Sequence, residues 1–291
     1  MLRKYMLILG HRGFIGPSPY QNSRQAFTIA VTDGDGFETD ACLSQDGDVF
    51  LIHEAKYADA AKGVEYSLAE HLDTASAARL GSRRIDQLPA AEVRMLRLKD
   101  GQPIPTLREA LELVGAHSGT LLNIELKAHN VAEPVARLVQ SAIERKSIAP
   151  EALLMSSFNH YALPLIRRAL PTIKTGAIFI GADQPTKPLF PWHSDDQSAY
   201  TSLTPTALQN PVLRETKPDC FVIPEEILTA DTLAMIASAF PDAKIAAWVF
   251  TEKGNFDLPR FLTRLKTLPP DKIMAMIVDN PQAFKQAWAK G

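Results

Sequence analysis

Short apolar runs alternate with longer stretches of helical periodicity along almost the whole chain. The apolar runs predict strands at 6–9, 36–41, 121–126, 153–156, 174–179, 220–223, 244–250 and 273–278. The amphipathic stretches predict helices at 22–32, 134–145, 161–169, 205–214, 229–239, 259–268 and 281–289. Strands separated by helices of this length are typical of right-handed βαβ units and a parallel sheet.

The number of predicted strands favours a TIM (β/α)8 barrel, an α/β fold, with a doubly wound open sheet as the alternative. The turn after the first strand reads HRGFIG rather than GxGxxG, which counts against a dinucleotide-binding sheet. Two segments interrupt the alternation. Residues 54–104 predict an insertion after the second strand, with one or two short helices over the barrel mouth, and 181–202 predict an irregular loop. We expect residues 1–291 to form a single barrel domain that contains this insertion.

The charge balance and the cysteine content of the chain limit the kinds of partner and metal that it is expected to bind. The 291 residues carry 31 Lys and Arg against 33 Asp and Glu, and this near balance excludes the strongly basic surface typical of nucleic-acid binders. Cys42 and Cys220 form neither a disulfide framework nor a zinc-binding pattern. No apolar stretch is long enough for a signal-peptide core or an integral membrane segment. We therefore expect a cytoplasmic protein with no nucleic-acid partner, and a homo-oligomer is left open.

Polar side chains stand at the ends of several predicted strands. In a TIM barrel these C-terminal ends converge on one mouth. The residues concerned are His11, Arg12, Glu38, Asp40, His53, Glu125 and Lys127. Because side chains alternate along a strand, Glu38 and Asp40 share one face, as do Glu125 and Lys127.

This set of residues predicts a particular chemistry. Three carboxylates crowded together would raise one another's pKa, so a divalent cation is their natural partner, and oxygen ligands favour Mg²⁺ or Ca²⁺ over zinc. An arginine and a lysine beside such a cation predict a phosphate site. Two histidines provide the groups that accept and donate a proton. Together these features predict metal-assisted cleavage of a phosphodiester.

Four motifs then identify a family resemblance. They are HRG at 11–13, Asn22 before the first helix, GFETDACLSQDGDVFLIHE at 36–54 and IELK at 124–127. In this order and spacing they resemble the glycerophosphodiester phosphodiesterases, and SSF at 156–158, the strand with Trp248 and VDNP at 278–281 fit the same register. The chain departs from the family pattern at 20–23, where YQNS replaces PENT, and at 53–54, where HE replaces HD.

The resemblance implies a TIM barrel with an insertion after the second strand. It implies one divalent cation held by Glu38, Asp40 and Glu125. It also implies two catalytic histidines, His11 and His53, and phosphate contacts from Arg12 and Lys127. The implied reaction is hydrolysis of a small-molecule glycerophosphodiester to sn-glycerol 3-phosphate and an alcohol.

Several alternatives stay open on the sequence alone. Asn22 either caps the first helix or belongs to the site, and Trp248 is either a core aromatic or the floor of a glycerol pocket. His71 is expected to be structural or at the surface, and Asp279 is expected to hold a turn outside the site. The alternative functions are a phospholipase D-like hydrolase of lysophospholipids or another phosphodiester, and a non-catalytic phosphate-binding barrel.

Overall fold

Eleven strands form the sheets in the part of the chain that the structure describes. The computed structural model describes residues 6–16, 18–53, 68–127, 129–181, 187–188, 199–249 and 256–290. The strands are β1 (Leu7–Gly10), β2 (Gly36–Leu43), β3 (Val49–Leu51), β4 (Leu121–Leu126), β5 (Leu153–Ser157), β6 (Lys174–Ile178), β7 (Lys187–Pro188), β8 (Ala199–Tyr200), β9 (Cys220–Pro224), β10 (Lys244–Val249) and β11 (Ile273–Val278).

Eight of these strands close into a parallel barrel. The order around the barrel is β1, β11, β10, β9, β6, β5, β4 and β2, and a pairing between β1 and β2 completes the circle. β3 lies antiparallel on β2, while β7 and β8 form a separate pair. The predicted TIM barrel is confirmed, and the open-sheet alternative is wrong because β1 pairs with both β11 and β2.

Ten α-helices connect or flank the strands. They are α1 (Arg24–Asp33), α2 (Thr74–Leu80), α3 (Ala90–Val93), α4 (Leu107–Gly115), α5 (Ala132–Glu144), α6 (Leu163–Ala169), α7 (Pro211–Thr216), α8 (Ala230–Ala239), α9 (Leu258–Leu265) and α10 (Pro281–Lys290), all within the described residues. The continuous helix predicted at 205–214 is wrong. A short 3₁₀ turn, Ala207–Gln209, is followed by a new start at Pro211, whose missing N–H suits a first helical position. Asn210 Oδ1 caps this start by accepting from the Val212 N–H at 2.9 Å.

The alternation of side chains along the barrel strands separates two apolar regions. In β2, Phe37 and Ala41 belong to the cluster packed against the surrounding helices. Glu38 and Asp40 alternate with them and therefore face the interior. The interior itself is filled by residues of the other strands: Leu9, Leu154, Ile178, Val222, Ala246, Ala275 and Ile277. The barrel is thus a packed core, and the predicted site residues of β2 and β4 lie towards its C-terminal end.

The insertion forms a third apolar cluster beside the barrel. Phe50 and Ile52, in and just after β3, pack with residues of α2, α3 and the turns between them. An antiparallel bridge between Leu72 and Leu98 ties the two ends of the described part of the insertion together. The prediction of one or two short helices is confirmed. Residues 54–67 of the insertion and 182–186 and 189–198 of the predicted 181–202 loop lie outside the described residues.

In the described parts of the chain, every helix is too short or too polar to cross a membrane. The assignment of 1–291 to a single domain, the cytoplasmic location and the absence of a nucleic-acid partner stay predictions.

A buried histidine in the turn after β5 makes the free energy of unfolding depend on pH. His160 Nε2 donates to the Ile178 carbonyl oxygen at 2.9 Å, and its ring lies 4.7 Å from the Phe179 ring. Burial lowers the pKa of His160 to about 4 from its ordinary value of 6.5. The unfolded chain therefore binds a proton more readily than the folded protein, and stability present above pH 6.5 is lost as the pH falls towards 4.

We expect the free energy of unfolding to drop by about 2–3 kcal/mol more in the wild type than in His160→Gln between pH 7.5 and 4.5. The glutamine amide can donate to the same carbonyl but does not titrate. Urea denaturation at both pH values measures the difference, and all other titrating groups are shared. Parallel pH curves for the two proteins would contradict this assignment.

Candidate active site

A tight turn after β1 brings the first two polar side chains to the barrel mouth. A Cβ atom on Gly10 would lie 1.6 Å from the Gly13 carbonyl oxygen, so only glycine fits there. Gly13 has φ +83°, a region that other residues rarely adopt. The His11 N–H continues the pairing with β11 by donating to the Val278 carbonyl oxygen at 2.7 Å. The turn therefore fixes the backbone of His11 and Arg12 directly after the C-terminal end of β1.

The three predicted metal ligands lie together on β2 and β4. One carboxylate oxygen from each of Glu38, Asp40 and Glu125 lies within 4.8 Å of the others. Asp40 and Glu125 are direct neighbours in the parallel pairing of the two strands. The Lys127 ammonium bridges them, with Nζ 2.8 Å from Asp40 Oδ1 and 2.7 Å from Glu125 Oε1.

The positive charges are shared unequally among the three acids. Burial alone would raise the pKa of Asp40, but the Lys127 ammonium, followed by His53 and Arg12, holds it well below its usual value. Burial raises the pKa of Glu125, although Lys127 opposes the shift. Burial and then the charges of Asp40 and Glu125 raise the pKa of Glu38 well above its usual value. Negative charge is therefore least compensated on Glu38 and Glu125.

Asn22 belongs to this group of residues rather than to the helix cap. Its side-chain N–H donates to Asp40 Oδ2 at 2.8 Å, and its Oδ1 accepts from the Thr39 hydroxyl at 2.7 Å. The cap of α1 is instead Ser23, whose Oγ accepts from the Ala26 N–H at 3.1 Å. Asn22 has φ +49°, which asparagine tolerates better than most residues. Of the two roles left open for Asn22, the helix cap is wrong, and a contact between Asn22 and substrate stays a prediction.

Arg12 is held by backbone and side-chain contacts. Its N–H donates to Glu38 Oε2 at 3.1 Å, and its Nε lies 3.4 Å from Asp40 Oδ2. Its Nη1 donates to Gln21 Oε1 at 2.6 Å. Sequence reasoning missed this role of Gln21, although its position next to Asn22 was a usable signal. Because Gln21 is a neutral partner, it orients the guanidinium without cancelling its charge.

Asp279 is the acidic partner of His11. His11 Nδ1 lies 2.9 Å from Asp279 Oδ1, and both side chains are largely buried. The expectation that Asp279 stands outside the site is therefore wrong. Burial and the Arg12 charge lower the pKa of His11, and the Asp279 hydrogen bond opposes this shift. The carboxylate also fixes the tautomer of His11, leaving Nε2 for other partners.

His53 follows β3 and lies at the edge of the same site. Burial, then the charges of Arg12 and Lys127, lower its pKa well below the usual value. The ring of His71, from the insertion, stands 6.2 Å from the His53 ring at an interplanar angle of 82°. His71 is thus not a surface residue, and the sequence offered no signal for this contact.

Trp248 lies near the C-terminal end of β10. It is on the same strand face as Ala246, which points into the barrel interior. Its side chain is half-buried, and its ring makes an edge-to-face contact with Phe158 at 5.9 Å. The indole therefore packs on the apolar barrel interior. Its contact with a substrate stays a prediction.

The chemistry of the three carboxylates fits a hard divalent cation. Glu38 Oε1 is buried and has no hydrogen-bond partner among the described residues. A buried carboxylate oxygen in that state is costly unless a cation compensates it. Glu38, Asp40 and Glu125 offer only oxygen ligands, which suit Mg²⁺ or Ca²⁺.

Two proteins with the same name, glycerophosphodiester phosphodiesterase, are similar to this chain in sequence. The glycerophosphodiester phosphodiesterase of Caldanaerobacter subterraneus subsp. tengcongensis is 29% identical over 179 residues, which are 60% of this chain and 66% of that protein. The enzyme of the same name from Bacillus altitudinis is 32% identical over 177 residues, 59% of this chain and 65% of that protein. The matched segment thus spans just under two thirds of each relative.

A solved structure is similar over nearly the whole chain. The Oleispira antarctica phosphodiesterase, in complex with the product sn-glycerol-3-phosphate, has a TM-score of 0.67 and 21% identity, over 97% of this chain and 96% of that chain. This likeness shows the fold. The profile of the Glycerophosphoryl diester phosphodiesterase family matches residues 11–219, well over half of the sequence. The chain therefore belongs to the glycerophosphoryl diester phosphodiesterase family.

Proposed function

We propose that the protein is a divalent-metal-dependent hydrolase that cleaves glycerophosphodiesters to sn-glycerol 3-phosphate and an alcohol. The observation that carries the proposal is the convergence of three acids, two cations and two imidazoles on one end of the barrel. Membership of the family supports it, and so does the glycerol phosphate product bound to the similar Oleispira antarctica structure.

The cation would be held by Glu38, Asp40 and Glu125. When bound, it would neutralise the acids and withdraw electron density from the phosphate, which makes the phosphorus atom a better electrophile. Arg12 and Lys127 would then neutralise and orient the phosphate oxygens. Both are already positioned by Asp40, so little side-chain entropy remains to be lost when the substrate binds.

His11 and His53 would move the protons. As a water oxygen bonds to phosphorus, one imidazole accepts the proton of that water, and the other donates a proton to the departing alcohol oxygen as its bond to phosphorus breaks. The lowered pKa values leave both rings neutral in the free protein at pH 7. The negative charge of a bound phosphodiester would raise the pKa of both imidazoles and let one of them carry the donated proton.

Trp248 would form the apolar floor beside the glycerol moiety. Its position on the interior side of β10, against Phe158, supports this role. The identity of the alcohol would depend on the residues around the mouth, including the insertion.

The direct test is release of sn-glycerol 3-phosphate from glycerophosphocholine and glycerophosphoethanolamine. We expect release that is abolished by EDTA and restored by Mg²⁺ or Ca²⁺. Lysophosphatidylcholine in a parallel assay tests the lipid alternative, and binding of substrate without turnover tests the non-catalytic barrel. The absence of metal-dependent release from either glycerophosphodiester would count against the proposed function.

The two histidines should each be required for turnover. We expect His11→Ala and His53→Ala to lower kcat by about 10² or more, because each removes a proton-transfer group. His117→Ala is the matched control, since that ring is exposed and contacts the nearby Leu113 carbonyl oxygen, away from the three-carboxylate cluster. Steady-state kinetics measures the effect, and wild-type turnover in both variants would remove the pair from the mechanism.

Glu38→Gln should have opposite effects with and without metal. Without metal it should raise the free energy of unfolding at pH 7, because it removes a buried carboxylate whose pKa is raised by folding. It should also weaken Mg²⁺ or Ca²⁺ binding by more than about tenfold and so reduce the metal-induced rise in Tm.

Thermal denaturation and calorimetric titration of the metal measure both effects of Glu38→Gln. The control is Glu70→Gln, which changes an exposed acid of the insertion outside the three-carboxylate cluster. An unchanged metal affinity in Glu38→Gln would refute the assigned ligand.

A further inference from the structure

Three separate segments of the chain meet around His71. This residue ends a short 3₁₀ helix of the insertion, and its exposed fraction is only 7%. On one side lies the Tyr20 ring, at 6.0 Å and 63°, from the loop after β1. On another side lies the His53 ring, at 6.2 Å and 82°, after β3. The described part of the insertion, residues 68–104, thus reaches the edge of the candidate active site through the His71 side chain.

Contacts with residues other than His53 also hold His71 in place. Its Nδ1 lies 3.1 Å from the Tyr20 hydroxyl, and its carbonyl oxygen accepts from the Lys99 N–H at 3.1 Å. Tyr20 is held in turn, because its N–H donates to Asp100 Oδ2 at 2.8 Å and its ring lies under the Lys99 ammonium at 5.8 Å. Through Tyr20, these contacts join the loop after β1 to His71, Lys99 and Asp100 of the insertion.

His53 differs from His11 in the way its ring is held. His11 has the carboxylate of Asp279 on its Nδ1. For His53, the described ranges of the chain show a ring contact with His71 and no hydrogen bond to its imidazole. An imidazole that transfers a proton must keep its nitrogen aimed at the reacting oxygen, and a small rotation lowers the rate.

We infer that His71 is a positioning residue for His53, and that Tyr20 anchors it in this role. The inference rests on the proposed function, in which His53 transfers a proton. The perpendicular ring packing restricts rotation of the His53 side chain and favours the observed orientation. The insertion then contributes to the active site, because its His71 ring packs against the His53 ring and limits its rotation.

The charge of His71 suits this role. Burial, followed by the Arg12 charge, lowers the pKa of His71 to about 4. The ring is therefore neutral at pH 7, and a charge on His71, gained only at lower pH, would lower the pKa of His53 further. A lysine or arginine at this place would oppose protonation of His53.

A double-mutant cycle with His53 tests the inference. We expect His71→Ala to lower kcat on glycerophosphocholine by about tenfold with KM changed less than about twofold, and Tyr20→Phe to lower kcat by about threefold. In the His53→Ala background, His71→Ala should leave the residual kcat unchanged within about twofold. A role in stability alone would lower turnover by the same factor in both backgrounds.

The matched control is Leu72→Ala, which removes packing from the next residue of the same turn. It should lower Tm while leaving kcat unchanged. Tyr20→Phe keeps its ring and removes one hydroxyl, so it tests the inference even if His71→Ala does not fold. Unchanged kcat in both His71→Ala and Tyr20→Phe, or equal factors in the two backgrounds, would overturn the inference while leaving the proposed function intact. An inactive wild type would overturn both.

Discussion

The burial of three carboxylates at one end of an apolar barrel is the constraint on which the rest of the site depends. An ionised carboxylate loses several kcal/mol of solvation on burial and needs countercharge or hydrogen bonds in return. Lys127, Arg12 and Asn22 provide these to Asp40. Glu38 keeps a buried oxygen without a partner among the described residues. The pKa of Asp40 is lowered and that of Glu38 is raised because of this difference in compensation. Glu38 is therefore the carboxylate whose charge a cation would neutralise most.

Barrel closure brings the compensating groups to the acids. β2 carries Glu38 and Asp40, β4 lies on one side of it with Glu125 and Lys127, and β1 lies on the other with the turn to Arg12. One arc of three adjacent strands therefore holds the acids and both cations. The apolar residues of β9, β10 and β11 fill the opposite arc, where Trp248 is half-buried. The three carboxylates and both cations therefore lie across the mouth from the apolar residues of β9 and β10.

The sequence was sufficient to predict the eight barrel strands and the polar residues near their ends, whereas β7 and β8 lie in the segment predicted as an irregular loop. Buried parallel strands appear in the sequence as short apolar runs, and a polar residue near the end of such a run marks the C-terminal end of the strand, as at His11 and Glu125. Asp279 was missed because its partner His11 is distant in sequence, although closure of a barrel places β11 beside β1. The contact of His71 with Tyr20 and His53 could not be predicted, because tertiary packing rather than periodicity places the insertion against the loop after β1. The helix predicted across 210 failed because Pro211 starts a new helix.

Asp40 explains why the site can be formed before any ligand binds. Its Oδ1 accepts from Lys127, and its Oδ2 accepts from Asn22 and lies close to Arg12. The two groups proposed to bind phosphate are therefore held by an acid that is also proposed to bind the metal. Positive charge fixed in this way needs no reorganisation when an anion arrives, and such preorganised electrostatics is the largest contribution to catalysis in many enzymes. The cost is the desolvation of Glu38 and Glu125, and the proposed divalent cation would relieve it by supplying the missing countercharge.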